Sequence, residues 1–203
     1  MPDRQTSLAG AAGNEPVVLD TARLRLRQWR EADFAPFAAL NADPVVMACF
    51  PAPLDRAASD AIALRCQSLI VARGWGFWAV ERKEDGAFIG FVGLHEPAAT
   101  LPFSPCVEIG WRLSRAHWGQ GYAAEAARAA LQFGFGRLAL AEIVSFTALP
   151  NVRSRAVMER LGMVADGTFE HPALAQDSPL LLHWLYRMSA QRWQSLSGNV
   201  RAP

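Results

Sequence analysis

Residues 106–137 read CVEIGWRLSRAHWGQGYAAEAARAALQFGFGR, and this stretch limits the fold more than any other. Over 106–114 apolar and polar residues alternate as in a β-strand. Val107, Ile109, Trp111 and Leu113 share one face, and Cys106, Glu108, Gly110 and Arg112 share the other. From 122 to 137 the spacing becomes helical. Ala123, Ala126, Ala127 and Ala130 would let a helix lie close against a sheet, while Glu125, Arg128 and Gln132 form a solvated stripe. A strand that hands directly to a helix, with Gly119 and Gly121 at the joint, requires a sheet covered by that helix.

The glycine pair has two readings. The first four N–H groups of a helix lack partners within it, and a phosphate can accept them where glycines let the backbone approach. Alternatively, the glycines serve a tight turn alone. A P-loop is excluded, because Tyr122-Ala123-Ala124 stands where Gly-Lys-Ser/Thr would be needed. A dinucleotide fingerprint fits poorly. Ala124 occupies its third glycine position, several strands precede the turn, and Glu142 begins a strand where an acidic residue should end one.

Around this junction the chain is regular. Residues 1–16 are small, polar and Gly/Pro-containing, and read as a disordered leader. Residues 23–29 alternate as a strand. A short helix is predicted over 31–43, tolerating Pro36 early, and a longer one over 53–74, with Asp55 as N-cap and Gly74 as stop. Residues 75–82 and 87–96 read as a hairpin, with Trp75 and Trp78 on opposite faces, and a proline-bearing loop covers 97–105. Then follow a strand at 142–148, a helix at 152–162, a strand at 163–170 and a last element at 178–188. The last reads as a strand, although its continuous apolar run also suits a helix. The prediction is a mixed α/β (α+β) fold: one domain over 17–190 around a central sheet, with 191–203 a tail fraying from residue 189.

Net charge is +1 over 203 residues, so nothing draws the chain to nucleic acid or an anionic membrane. Cys49, Cys66 and Cys106 are odd in number and widely spaced, and His95, His117, His171 and His183 show no metal-binding spacing, so neither a disulfide framework nor a metal site is expected. No apolar run reaches the ~20 residues of a membrane span. Residues 1–16 lack the layout of a secretion signal, which makes a cytoplasmic location the expectation.

Three motifs in order, TARLRLRQW, VEIGWRLSRAHWGQGYAAEA and NVRSRAVMERLGMVADGTF, resemble the GNAT superfamily of acyl-CoA-dependent N-acyltransferases, over about residues 18–188. Within it the chain looks like the RimJ/RimL-type branch of ribosomal-protein N-terminal acetyltransferases. The resemblance implies a GNAT-type, mostly antiparallel sheet flanked by helices, with acetyl-CoA as co-substrate and no metal. It implies that the backbone of Trp111, Arg112 and Leu113 binds the pantetheine arm. The diphosphate loop maps onto Trp118, Gly121 and Ala123, with Gly119, Gln120, Tyr122 and Ala124 as further amide donors; Trp118 replaces the more usual Gln or Arg. Asn151 matches the asparagine that steadies pantetheine. The tyrosine acid found in many members is here Met158, and Ser154 is the branch's alternative acid. The first helices and the segment 45–54, with Trp29, would wall the acceptor pocket.

Transfer to an amine needs the neutral amine. At pH 7 deprotonation costs about 1.4 kcal/mol for an α-amino group and roughly 4–5 kcal/mol for a lysine. A general base contributes ~10²–10⁴-fold. Glu108, in mid-strand beside the acyl-CoA arm, is the leading candidate; the competing reading pairs it with Arg112 on the same face. His95 and Glu96 are the alternatives. Cys106 as a nucleophile lacks a matched base and reads as a small buried side chain. Ser154 could instead bond the backbone of its own helix. The functional expectation is transfer of an acetyl group from acetyl-CoA to a primary amine, either a protein N-terminus or a small amine metabolite or drug, in a ternary complex. Two rivals are a non-catalytic acyl-CoA-binding module and a nucleotide-dependent enzyme using the same turn. Oligomeric state stays open between monomer and homodimer.

Overall fold

The computed structural model describes residues 15–97 and 100–198. An eight-stranded sheet runs in the order β1-β2-β3-β4-β5-β6-β8-β7. Its strands are β1 (Leu19–Asp20), β2 (Leu24–Arg27), β3 (Phe77–Arg82), β4 (Phe88–His95), β5 (Glu108–Leu113), β6 (Glu142–Ala148), β7 (Val164–Glu170) and β8 (Leu182–Ser189). Five helices accompany it: α1 (Phe34–Ala42), α2 (Arg56–Arg73), α3 (Tyr122–Gly136), α4 (Val152–Leu161) and α5 (Ala190–Gly198). Every strand pair is antiparallel except β5 with β6. The mixed α/β class and the mostly antiparallel sheet are therefore as expected, with a two-residue β1 added. The ambiguous last element is a strand.

The expected stops and caps are in place. The Asp55 carboxylate accepts the Ala58 amide, and Gly74 ends α2 in the left-handed conformation. Two expectations at the chain ends fare differently. The leader at 1–16 lies outside the described residues except for Glu15 and Pro16. Residues from 189 onward, expected to fray, form α5 up to Gly198. There Trp193 stacks on Phe135 of α3 at 5.8 Å, and Arg192 bonds Gly162 O at 2.6 Å.

Strand alternation assigns the two faces. Trp78 is fully buried and meets Phe133 of α3 edge-on at 5.5 Å, so its face is the α3 side. Ala126, Ala127 and Ala130 are fully buried there, as the small-residue face of α3 predicts. On the opposite face Phe91 meets Phe37 of α1 at 5.9 Å. Register extends that face across the sheet: Phe91 lies opposite Arg112, Gly93 opposite Gly110, and His95 opposite Glu108. Glu108, Gly110 and Arg112 therefore look toward α1 and α2. Trp29, expected as a pocket wall, is instead core. It is 2% exposed against Phe37 and Phe88, with its indole N–H on Phe77 O. Among the described residues no helix is long and apolar enough to cross a membrane.

Candidate active site

The sheet parts between β5 and β6. Their registered pairing is Glu108 with Val144, and the Ser145 hydroxyl reaches back to Ile109 O at 2.9 Å. Beyond that point β5 continues with β4 on one side and an open edge on the other. Ile109 O and Leu113 O both point to the open side, since Leu113 O accepts the Trp118 indole at 2.8 Å. By alternation Trp111, between them, aims its N–H and C=O the same way. Arg112 is in the opposite phase: its carbonyl oxygen presses on Gly90 of β4, where an added Cβ would lie only 2.1 Å away. Of the three residues expected to present backbone to a pantetheine arm, Trp111 and Leu113 turn their backbone to the open side, Leu113 with its carbonyl already bonded by Trp118. The Arg112 backbone faces β4.

The open edge leads to the glycine turn. Gly119 (φ 74°) and Gly121 (φ 81°) are left-handed, a conformation that disfavours any side chain. Gly121 is the N-cap of α3 and supplies no capping side chain, so the first-turn amides of Tyr122, Ala123 and Ala124 are not capped from within. A Cβ at Gly119 would meet nothing within 4 Å. The turn is an open, amide-lined concavity at a helix N-terminus, the environment a diphosphate requires. One expected donor falls away: the Trp118 amide is committed to Arg115 O at 3.2 Å. Trp118 contributes its ring, which lies 4.5 Å beneath the Arg153 guanidinium.

Arg23 fastens the turn. It donates to Gln120 O at 3.0 Å, pairs with Glu125 at 2.6 Å and lies 4.5 Å over the Tyr122 ring. Glu125 also accepts from Thr21 and the Arg23 amide, so it is a structural anchor and not part of a solvated stripe. These contacts join residues about a hundred positions apart, and only the alternating arginines at 23, 25 and 27 hint at them in the sequence. Behind α3 an open groove of about 590 Å³ begins at Gly121 and carries Arg23, Arg128, Arg160 and Trp193. It lies on the α3 side, across the sheet from Glu108.

Asn151 is the N-cap of α4. Its Oδ1 accepts the Ser154 amide at 3.1 Å and its Nδ2 donates to Thr147 Oγ1 at 2.8 Å. One amide hydrogen and one lone pair remain for a ligand. No described group bonds the half-buried Ser154 hydroxyl, so it does not back-bond to its own helix. Met158 is 1% exposed and belongs to the core.

On the α1/α2 face the Glu108 carboxyl has no hydrogen-bond or ion-pair partner among the described residues. It retains some accessible surface. Yet protein surrounds it enough that burial pushes its pKa up to about 8. The alternative pairing with Arg112 does not occur; Gly110 separates them, and an added Cβ there would sit 3.3 Å from Glu108 Oε1. His95, opposite Glu108, is pushed down to about 4 by burial and then by Arg73 and Arg65, and its ring lies 5.0 Å from Phe77. Glu96 points away, 62% exposed, on Arg73. Burial raises the Cys106 thiol, which disfavours a nucleophilic thiolate. Over this face Phe50, from the 45–54 segment, lies 4.1 Å from the Arg112 guanidinium. Arg153 of α4 acts electrostatically on Cys49 from the same segment, so the segment spans from Arg112 toward the turn. Among the described residues no group of three or more His, Cys, Asp or Glu could hold a metal ion.

A family model described as an acetyltransferase (GNAT) domain matches residues 23–164. The Bacillus subtilis uncharacterized protein YkkB is 32% identical over 151 residues, covering 74% of this chain and 87% of that protein. The crystal structure of an acetyltransferase from Agrobacterium tumefaciens superposes with TM-score 0.69 at 29% identity, covering 89% of this chain and 98% of that one. The ribosomal-protein-S5-alanine acetyltransferase of Vibrio fischeri shares the fold, with TM-score 0.68 at 18% identity over 87% of this chain and 98% of that one. With a parted sheet leading to an uncapped glycine turn, and a matching model over most of its length, the chain belongs to the GNAT family of acyl-CoA-dependent acetyltransferases.

Proposed function

We propose that the chain transfers the acetyl group of acetyl-CoA directly to a primary amine, with Glu108 as the general base. The observation that carries this reading is the unpartnered Glu108 carboxyl, held where β5 and β6 meet before they part, on the face opposite the cradle helix. The residues fit the co-substrate. Trp111 and Leu113 offer backbone along the open edge, Asn151 stands beside it, and amides from Gly119 to Ala124 suit the diphosphate. In one step the amine nitrogen bonds the thioester carbonyl carbon, the carbon–sulfur bond breaks, and the amine proton passes to Glu108, directly or through water. The Trp111 N–H faces the gap where the carbonyl oxygen gains charge. The Ser154 hydroxyl, free of other bonds, relays a proton to the departing thiolate, taking one from solvent as it gives its own.

His95 is a weaker candidate, because a group titrating near 4 holds a proton poorly at neutral pH. Glu96 is set aside by its position. The competing acceptor, a protein N-terminus, is what the RimJ/RimL-type sequence motifs imply, and the amine panel below tests it against small amines.

The test is a thiol-release assay with acetyl-CoA and a panel of primary amines, including peptides beginning with Ser, Ala or Met. A ternary complex predicts intersecting initial-rate lines, with Glu108→Gln losing about 10²-fold or more in kcat. Parallel lines, or an unimpaired Glu108→Gln enzyme, would contradict the proposal.

A further inference from the structure

The Arg112 side chain is an unusual group to find on this face. It is half-buried, and burial draws its pKa down to about 10, yet no ion pair engages it among the described residues. The other inward-facing arginine of the sheet, Arg27, shows the contrast: it has Asp33 at 2.7 Å and Glu81 at 2.6 Å. Every partner of Arg112 is neutral. Nη1 donates to Asn41 Oδ1 at 2.7 Å, Phe50 covers the guanidinium at 4.1 Å, and Phe91 lies 5.5 Å away. Asn41 is itself fixed, fully buried, with its Nδ2 on Ser59 Oγ at 2.9 Å. Nε is sealed from solvent with no acceptor, whereas Nη2 has neither a partner nor that seal. The chain thus orients a guanidinium without neutralising it.

A desolvated cation held in one geometry is costly unless an anion completes it. Glu108 shares its face of β5, four residues away, or about 13 Å between Cα atoms at ~3.3 Å per residue. Both side chains are long enough to narrow that gap to a small-molecule span; Gly110 between them adds no side chain, and the Phe77 ring packs over it, 3.2 Å from where a Cβ would sit, so an acceptor would pass beside that ring. Resting on the reading of Glu108 as base, we propose that the acceptor is a small amine that also carries an anionic group, a carboxylate or phosphate a few bonds from the amine. Its anion is taken by Arg112 while its nitrogen faces Glu108. A peptide N-terminus presents a neutral amide where this site asks for charge. The arginine then selects the acceptor, and no chemistry of the transfer itself passes through it.

The experiment compares matched acceptors: amino acids against their carboxamides, and a phosphate monoester of an amino alcohol against the free amino alcohol. With the native enzyme, kcat/KM for the anionic member should exceed that of its neutral partner by about tenfold or more. The pair showing the larger ratio tells carboxylate from phosphate. In Arg112→Met the ratio should fall to near one, whatever loss is common to both members. Arg112→Lys should keep a reduced preference, because the charge survives without its fork. Equal rates for both members of each pair with the native enzyme would overturn the proposal, and this result does not depend on any variant folding. A loss in Arg112→Met that strikes both members alike would also overturn it, since that is the pattern of a group acting on the thioester or on the fold. Absence of transfer to every amine would instead remove the reading of Glu108 on which the proposal rests.

Discussion

As the proposed base, Glu108 should set the pH behaviour of the site. A base titrating near 8 is mostly protonated at pH 7, so kcat/KM should climb with pH until about 8 and then level off. With an acceptor whose amine is already neutral by pH 6, that limb belongs to the enzyme, and Glu108→Gln should abolish it. Stability should run the other way. The carboxyl's folded pKa is raised above the ordinary value of 4.5, so its favourable contribution is complete below about 4.5 and is lost as pH rises through 8. Glu108→Gln should therefore gain stability over the native chain between pH 5 and 8, by on the order of 1–2 kcal/mol at the upper end, discounted for solvent access, and show a correspondingly higher Tm. A gain that does not grow with pH would mean that the carboxyl is not desolvated. At the far side of the cleft, Ser154→Ala should lower kcat with little change in the KM for acetyl-CoA. Initial rates at saturating acetyl-CoA test this.

Among the elements, the turn before α3 is where backbone conformation and function coincide. Gly121 sits at φ 81°, and Gly121→Ala should cost roughly 1–2 kcal/mol and raise the KM for acetyl-CoA, because a strained turn re-aims the amides behind it. Thermal melts and saturation curves separate the two effects. β2 and the turn before α1 are joined differently. Arg27 (5% exposed) and Asp33 (2% exposed) form two hydrogen bonds, at 2.7 and 2.9 Å, and Asp33 also accepts the Arg30 amide. Asp33→Ala should destabilise the protein by about 3–5 kcal/mol, since it leaves a buried guanidinium short of a partner. Chemical denaturation measures the loss. The strand at 106–114, the glycine turn and the helix after it could be read from alternation and spacing, because those patterns are local. Local spacing does not reveal which edge of β5 each backbone group faces. That edge turns Arg112's backbone toward β4 and leaves its side chain as the informative group. Nor could it reveal that Trp29 is core, or that Glu125 is bound by Arg23 and Thr21, since those partners are distant in the chain.

At the scale of the whole molecule, the sheet divides the labour. On one face lie α3 and α4 with the turn, Asn151 and the basic groove behind Gly121, the side proposed for the nucleotide. On the other, α1, α2 and the 45–54 segment cover Glu108 and Arg112. The parting of β5 from β6 connects the two faces, so a thioester threaded along the open edge would bring its carbonyl to Glu108. Seven of the eight strands followed from the order of apolar patterns, while β1 and α5 were missed because each is short and gains its place through packing. The most direct measurement is a crystal structure of the protein with coenzyme A. The diphosphate oxygens should lie about 3 Å from amide nitrogens between Gly119 and Ala124, with the pantetheine arm paired to Trp111 along the open edge. A coenzyme A bound with that turn empty and the β5 edge unpaired would contradict the division of the two faces.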